Sequence, residues 1–346
     1  MSAQVWYSIT DGNWNATSTW SLSSGGSAGS DYPKTGDRAI IEDGDTVTLT
    51  QAETCGQLQL QNNGEIVGGG NVLTLDSASG IDMVFTHAGD ISAASALNVK
   101  ITGINSNGDR SYLKESTSSG AITNLELDDS GATHNQSGDL NLLGNFTITA
   151  GTWDTSFGGS NHALTVTGAT TIGDGSSSAD TATLTCNAST ISLGSGVTGA
   201  HSLVIQAGGT FVGGTGTHTL GSLNIKNSTA AKCTLTSGNT TIDGEGSSNK
   251  AINIEGSNGV TNFAHGSGTV IITHDGASDI KADGVTLALN NLTINHASAN
   301  INLKGNLSVA GNLEITAGEL DTDSSNFALT VTGGINVSGT FTGNAS

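Results

Sequence analysis

The groups that could do chemistry in this 346-residue chain are few and scattered. Its histidines are His87, His134, His162, His201, His218, His265, His274 and His296. No two of them stand in the H-E-x-x-H spacing that sets two imidazoles on one helical face for zinc. His201 and His218 sit among small and polar residues, which predicts solvated loops for both. Cys55, Cys186 and Cys233 are too few and too widely spaced for a disulfide framework or a zinc site. They are expected as small buried hydrophobes, with one disulfide between neighbouring coils as the alternative. Calcium suits the chain better than zinc, because it takes hard oxygens from flexible turns. Such oxygens occur at Asp43-Gly44-Asp45, Asp128-Asp129 and Asp321-Thr322-Asp323. The G-G-x-G-x-D nonapeptide and the EF-hand loop are both missing, so these turns read as solvated. Structural calcium is kept as the candidate metal, and no other cofactor is expected.

Cleavage of a polysaccharide would need two carboxylates at a set distance, or a cation that steadies a carbanion. Candidate carboxylates are Asp128 with Asp129 and Asp279 with Asp283. Candidate cations are Lys226, Lys232, Lys250, Lys281 and Lys304, and the sequence marks none of them as a cluster. There is no G-x-S-x-G elbow for a nucleophile, and the run from Gly208 to Gly214 lacks the lysine and helix of a phosphate loop. No catalytic residue is assigned, and the chain is expected not to be an enzyme. Sugar binding without catalysis would use exposed aromatic rings with Asn, Asp and Ser around them. Tyr32 and Tyr112 have loop-like surroundings and are weak candidates. Trp153 is expected to be buried.

The elements that must hold these groups are short strands. Alternation of apolar and polar residues recurs in Thr46 to Thr50, Gln57 to Gln61, Leu164 to Thr167, Leu203 to Ile205, Leu223 to Ile225 and Val285 to Leu289. Most of these runs end near Gly, Asn, Asp or Ser, which tolerate tight turns. Helical periodicity is absent. The β-branched alternation also argues against a disordered chain.

Internal repetition chooses among β architectures. Gly144 to Thr155 returns as Gly311 to Thr322, and both copies run through a polar loop into Ala-Leu-Thr-Val-Thr-Gly, at 163–168 and 328–333. Phe146 and Leu313 correspond, as do Trp153 and Leu320. A motif Leu-x-(Leu/Ile) at Leu58, Leu125, Leu203, Leu223 and Leu292 reads as equivalent strands of successive coils. An antiparallel sandwich is the competing architecture. It would bury more aromatics than the 4% found here, so stacked coils are favoured. The expected fold is all-β, a right-handed parallel β-helix. With coils of roughly 20–27 residues the chain would make about 11–14 of them, a rod of roughly 55–65 Å.

Residues 1–50 are expected as an N-terminal cap and attachment segment, and 51–346 as the β-helix. The first segment holds Trp6, Trp14 and Trp20, followed by Pro33, Gly36-Asp37-Arg38 and Gly44-Asp45-Thr46-Val47-Thr48-Leu49. Large aromatics and a folded-over segment can close the apolar cross-section at a solenoid end. The pattern G-x-W…T-W-S…P…G-D…I…G-x-T-V-T-L, with Cys55-Gly56-Gln57-Leu58 and Gly64-Glu65-Ile66 after it, resembles the opening of β-helix proteins of tailed-phage virions and bacterial surface adhesins. The resemblance covers about 75 residues well and the rest by texture. It implies a virion fibre, spike or decoration protein, often trimeric, that meets the host surface.

The bulk numbers agree with an exterior role. Fifty Gly, 12% charged residues and a net charge of −20 make a turn-rich acidic surface. That surface has no basic footprint for nucleic acid. Met1 to Trp14 lacks the basic and apolar regions of a secretory leader, and no run is long enough to span a bilayer. Expected partners are therefore other virion proteins, further copies of the chain (a trimer that covers the thin C-terminal end Phe341 to Ser346) and host-surface glycans. The expected location is the virion, with secretion or a bacterial surface as the alternative. Two rival functions remain, a bacterial adhesin and a polysaccharide lyase or glycosidase.

Overall fold

Alternation of inward apolar and outward polar side chains has one simple outcome in this chain, a strand with one dry face. In Gln57–Leu60 the two leucines are buried and the two glutamines face outward. The computed structural model describes residues 3–77, 84–103, 110–114, 119–176, 181–323 and 325–343. Residues 344–346 of the expected C-terminal end lie outside the described residues. With 53% strand and 2% helix, the protein is an all-β parallel β-solenoid of stacked coils. It divides into two compact units, residues 1–163 and 164–346.

In the first unit one ladder runs through Val5–Ser8, Arg38–Ile41, Gln57–Leu60, Phe85–His87 and Arg110–Lys114, all parallel. It stacks Trp6, Ala39, Leu58, Phe85 and Tyr112 into one inner column. A second ladder joins Gly12–Asn13, Thr46–Thr48, Glu65–Val67 and Asp90–Ile91. A third carries the column Cys55, Leu75, Ile101, Leu127 and Ile148, every member buried. Each buried aliphatic side chain contributes about 1.5–3 kcal/mol. The coil-on-coil stack is therefore the main source of stability.

The second unit has the same construction. Leu203, Leu223, Ile252, Ile280 and Leu303 form one column. Leu164, Ile191, His218, Thr240, Val270, Leu292, Leu313 and Ile335 form another. Steps between stacked residues vary, from Ile301 over to Leu320 at the short end to Thr170 over to Leu203 at the long end. Surface loops absorb the difference.

The five Leu-x-(Leu/Ile) segments are not equivalent strands. Leu203 and Leu223 do stack on each other. Leu292, however, lies in a different ladder of the same unit, between Val270 and Leu313. In the first unit Leu58 and Leu125 likewise belong to different ladders. All the faces of a coil impose the same inward alternation, so the motif marks an inward strand without saying which face it is on.

Trp20–Ser21 folds back antiparallel along the outer edge of Val5–Ser8, so that strand has partners on both sides. Trp14 and Trp20 are fully buried and meet edge to face, ring centroids 5.1 Å apart. Their indole N–H groups donate to the carbonyls of Pro33 and Trp14. Asp37 ties the segment together, accepting from the Gln4 and Lys34 backbone N–H groups and from the Trp6 indole.

Candidate functional site

Register gathers the scattered ionisable residues of the second unit. On outward positions, Lys250 lies beside Asp279, which lies beside Asn302 and then Asp321. The neighbouring positions stack Asn224, Asn253, Lys281 and Lys304, the two asparagines buried. The result is one strip of charged and amide side chains. Lys281 Nζ is 2.9 Å from Asp283, and Lys304 is ion-paired with Asp323. The Asp323 carboxylate raises the Lys304 pKa, while partial burial raises that of Asp279. Beside the strip lies a cleft of about 330 Å³ lined by Ala282, Asp283, Gly284, Lys304, Asn306 and Phe327, among others. The sequence did not mark this cluster, because its members are neighbours only across coils.

Asp279 and Asp283 lie on one strand, where Asp279 sits beside Lys250 of the neighbouring coil and Asp283 is paired with Lys281. Asp128 and Asp129 are adjacent on a strand and point to opposite faces. Asp128 pairs outward with Lys100 at 2.8 Å, whereas Asp129 is buried against His134 at 2.8 Å. Of the other cations, Lys226 pairs with Glu255 at 2.8 Å, and Lys232 is exposed on a separate strand.

The aspartate turns considered for calcium are occupied by the protein's own donors. Asp45 accepts from the Ser8 hydroxyl at 2.6 Å, Asp43 from the Asn63 amide at 2.8 Å, and Asp321 from the Asp323 backbone at 2.8 Å. Among the described residues no group of three or more His, Cys, Asp or Glu side chains is placed to hold a metal ion. The three cysteines are buried thiols, and burial raises the pKa of Cys55 and Cys233.

Two of the expectations, for His218 and Tyr112, need correction. His218 is not in a solvated loop. It lies on a strand, fully buried, and meets Phe211 edge to face. Neither of its ring nitrogens makes a hydrogen bond of normal geometry, although the Gly213 backbone is near enough to favour the charged ring slightly. Burial is the larger effect and lowers its pKa to about 4. His201 is only half-buried, and burial and then Lys226 lower its pKa. Tyr112 is not in a loop either. It is buried on a strand, and its hydroxyl lies 3.1 Å from His87 Nδ1. His87 Nε2 faces the Ser119 carbonyl at 3.1 Å. A carbonyl only accepts, so Nε2 carries the proton and Nδ1 accepts from Tyr112. Burial lowers the His87 pKa to about 4. Tyr32 is half-buried, with Lys34 Nζ 5.0 Å from its ring centre. Trp153 is fully buried, its indole donating to Gln136 at 3.1 Å.

Sequence reasoning also missed a set of asparagines. Asn124, Asn291, Asn306 and Asn312 each accept, through Oδ1, a backbone N–H of the next coil: Asn145, Asn312, Ala328 and Gly334 respectively. Each precedes an inward leucine. The readable signal was the Asn before the Leu, not the Leu itself. No protein-family model, curated protein or solved structure matches this chain.

Proposed function

We propose that this protein is a structural component of a phage virion, a fibre, spike or capsid decoration that helps the particle engage the host surface or its glycans. The observation that carries the reading is the economy of the coils. Their inner positions are given over mainly to stacked aliphatic residues, and Lys100, Lys281 and Lys304 on the outside are each paired with a carboxylate across or along strands. Such a surface resists non-specific association through its net charge of −20. The pairing of Asp283 with Lys281, of Asp128 with Lys100 and of Asp129 with His134 supports a role without bond cleavage. The aromatic N-terminal pattern supports the virion class by resemblance. The polar cleft beside Lys304 and Asn306 is where a glycan would be held.

Mass spectrometry of purified particles tests the reading. The polypeptide should be a stoichiometric constituent of the virion. Its absence from particles, with recovery from a bacterial cell envelope, would make it an adhesin. Release of new reducing ends from an acidic glycan would make it an enzyme.

A further inference from the structure

A bulge and a glycine shape the cleft beside Lys304. Lys281 stacks on Lys304 and Thr286 on Asn306, so four residues of one coil, 282–285, stand against Gly305 alone in the next. An excess of this kind bends a strand and re-aims its side chains. Gly284, with φ of +74°, allows the bend. One coil further on, Phe327 precedes Leu329 by two residues, as Gly305 precedes Leu307, on which Leu329 stacks. Phe327 is therefore in register with a residue that has no side chain. Its half-buried ring lines the cleft together with residues 282–285 of the coil beyond. The walls of the cleft thus come from three successive coils.

These walls hold what a sugar ring requires. Phe327 offers an apolar plate for the C–H face of a pyranose. Asn306 is exposed, and its Oδ1 accepts the Ala328 backbone N–H. That bond fixes the amide and leaves the Nδ2 hydrogens to be donated. Asp283 supplies acceptors for hydroxyl groups, and Lys304 supplies donors. At about 330 Å³ the space is at the small end for ligand pockets, on the scale of a short stretch of glycan.

Charge narrows the ligand class. Among the described residues that line the cleft, the one carboxylate is Asp283, already 2.9 Å from the Lys281 ammonium. The one ammonium is Lys304, already paired with Asp323. An acidic sugar would have to displace Asp323, and a basic one Lys281. An acidic sugar would also approach a chain of net charge −20. A neutral ring meets neither penalty, since each ion keeps its partner and still makes charge-assisted hydrogen bonds to the hydroxyl groups. Resting on the reading of the cleft as a glycan site, we propose that it is a subsite for a neutral pyranose unit, with Phe327 as the stacking plate.

Affinity electrophoresis of the full chain in native gels tests this, with mannan, galactan and dextran as neutral probes and polygalacturonate as the acidic one. At least one neutral glycan should retard the chain, and polygalacturonate should not. Phe327→Ala should weaken the retardation about tenfold, whereas Phe327→Trp should keep it, because another aromatic plate serves as well. Asp283→Asn preserves the shape of the side chain and should weaken binding severalfold. It stands in for Phe327→Ala should that variant not fold. Tyr32→Ala, at a half-buried ring of the first unit, should change nothing. Retardation by polygalacturonate, alone or equally, would overturn the neutral class and leave the glycan site standing. Retardation by none of the four would overturn both. Retardation untouched by Phe327→Ala and Asp283→Asn would overturn the placement of the subsite.

Discussion

At the residue scale two of the fully buried histidines, His87 and His218, make opposite predictions. His87 satisfies two neighbours, Tyr112 and Ser119, while His218 satisfies none of normal geometry. An unpaired buried polar group costs about 1–3 kcal/mol. His218→Leu should therefore stabilise the protein by about that amount, since Leu continues a column that already holds Ile191, Val270 and Leu292. His87→Leu should destabilise it by about 1–3 kcal/mol, because the Tyr112 hydroxyl and the Ser119 carbonyl lose their partner. Urea unfolding of the two variants checks both signs. Acid has a related effect. Both histidines have folded pKa values of about 4, below the ordinary 6.5. Folding excludes protons from these rings, so the stability they confer is complete above pH 6.5 and is lost as pH falls toward 4. Denaturation midpoints measured across this window should fall steadily with pH, and the fall should be shallower in His218→Leu.

At the scale of elements, corners and caps decide where the chain turns. Gly151 and Gly318 occupy the same place in the two copies of the internal repeat. Both have positive φ, +87° and +86°. A Cβ on Gly151 would lie 2.3 Å from the Asp129 carbonyl oxygen, and one on Gly318 would lie 2.5 Å from that of His296. Gly151→Ala should thus cost more than about 2 kcal/mol, through strain and steric overlap together. At the N-terminal cap, Asp37→Ala should cost about 2–4 kcal/mol, since two backbone N–H groups and an indole lose a charged acceptor. Thermal unfolding of each variant gives the comparison.

These elements also show what a sequence can tell. Strand content, inward alternation and the aromatic cap were legible, because Leu58, Trp14 or Trp20 declares its burial through local pattern alone. Face assignment was not legible. Leu203 and Leu292 look alike locally and differ only in what lies one coil away. The Lys281, Lys304, Asp279 and Asp321 strip was hidden for the same reason, since variable loops set the register that brings its members together. His218 was misread because its polar neighbours in sequence are not its neighbours in space.

At the scale of the whole molecule, each unit is held by contacts between residues roughly 20–30 positions apart, repeated coil after coil. Stability in such a stack is nearly a sum over neighbouring coils, so damage in one coil should be felt mainly by the coils beside it. The direct test is a crystallographic electron-density map of residues 164–343. It should show Leu203, Leu223, Ile252, Ile280 and Leu303 in one inner column, on parallel strands about 4.8 Å apart. A map that placed Leu223 opposite an antiparallel neighbour, or set these five side chains on facing sheets, would contradict the account.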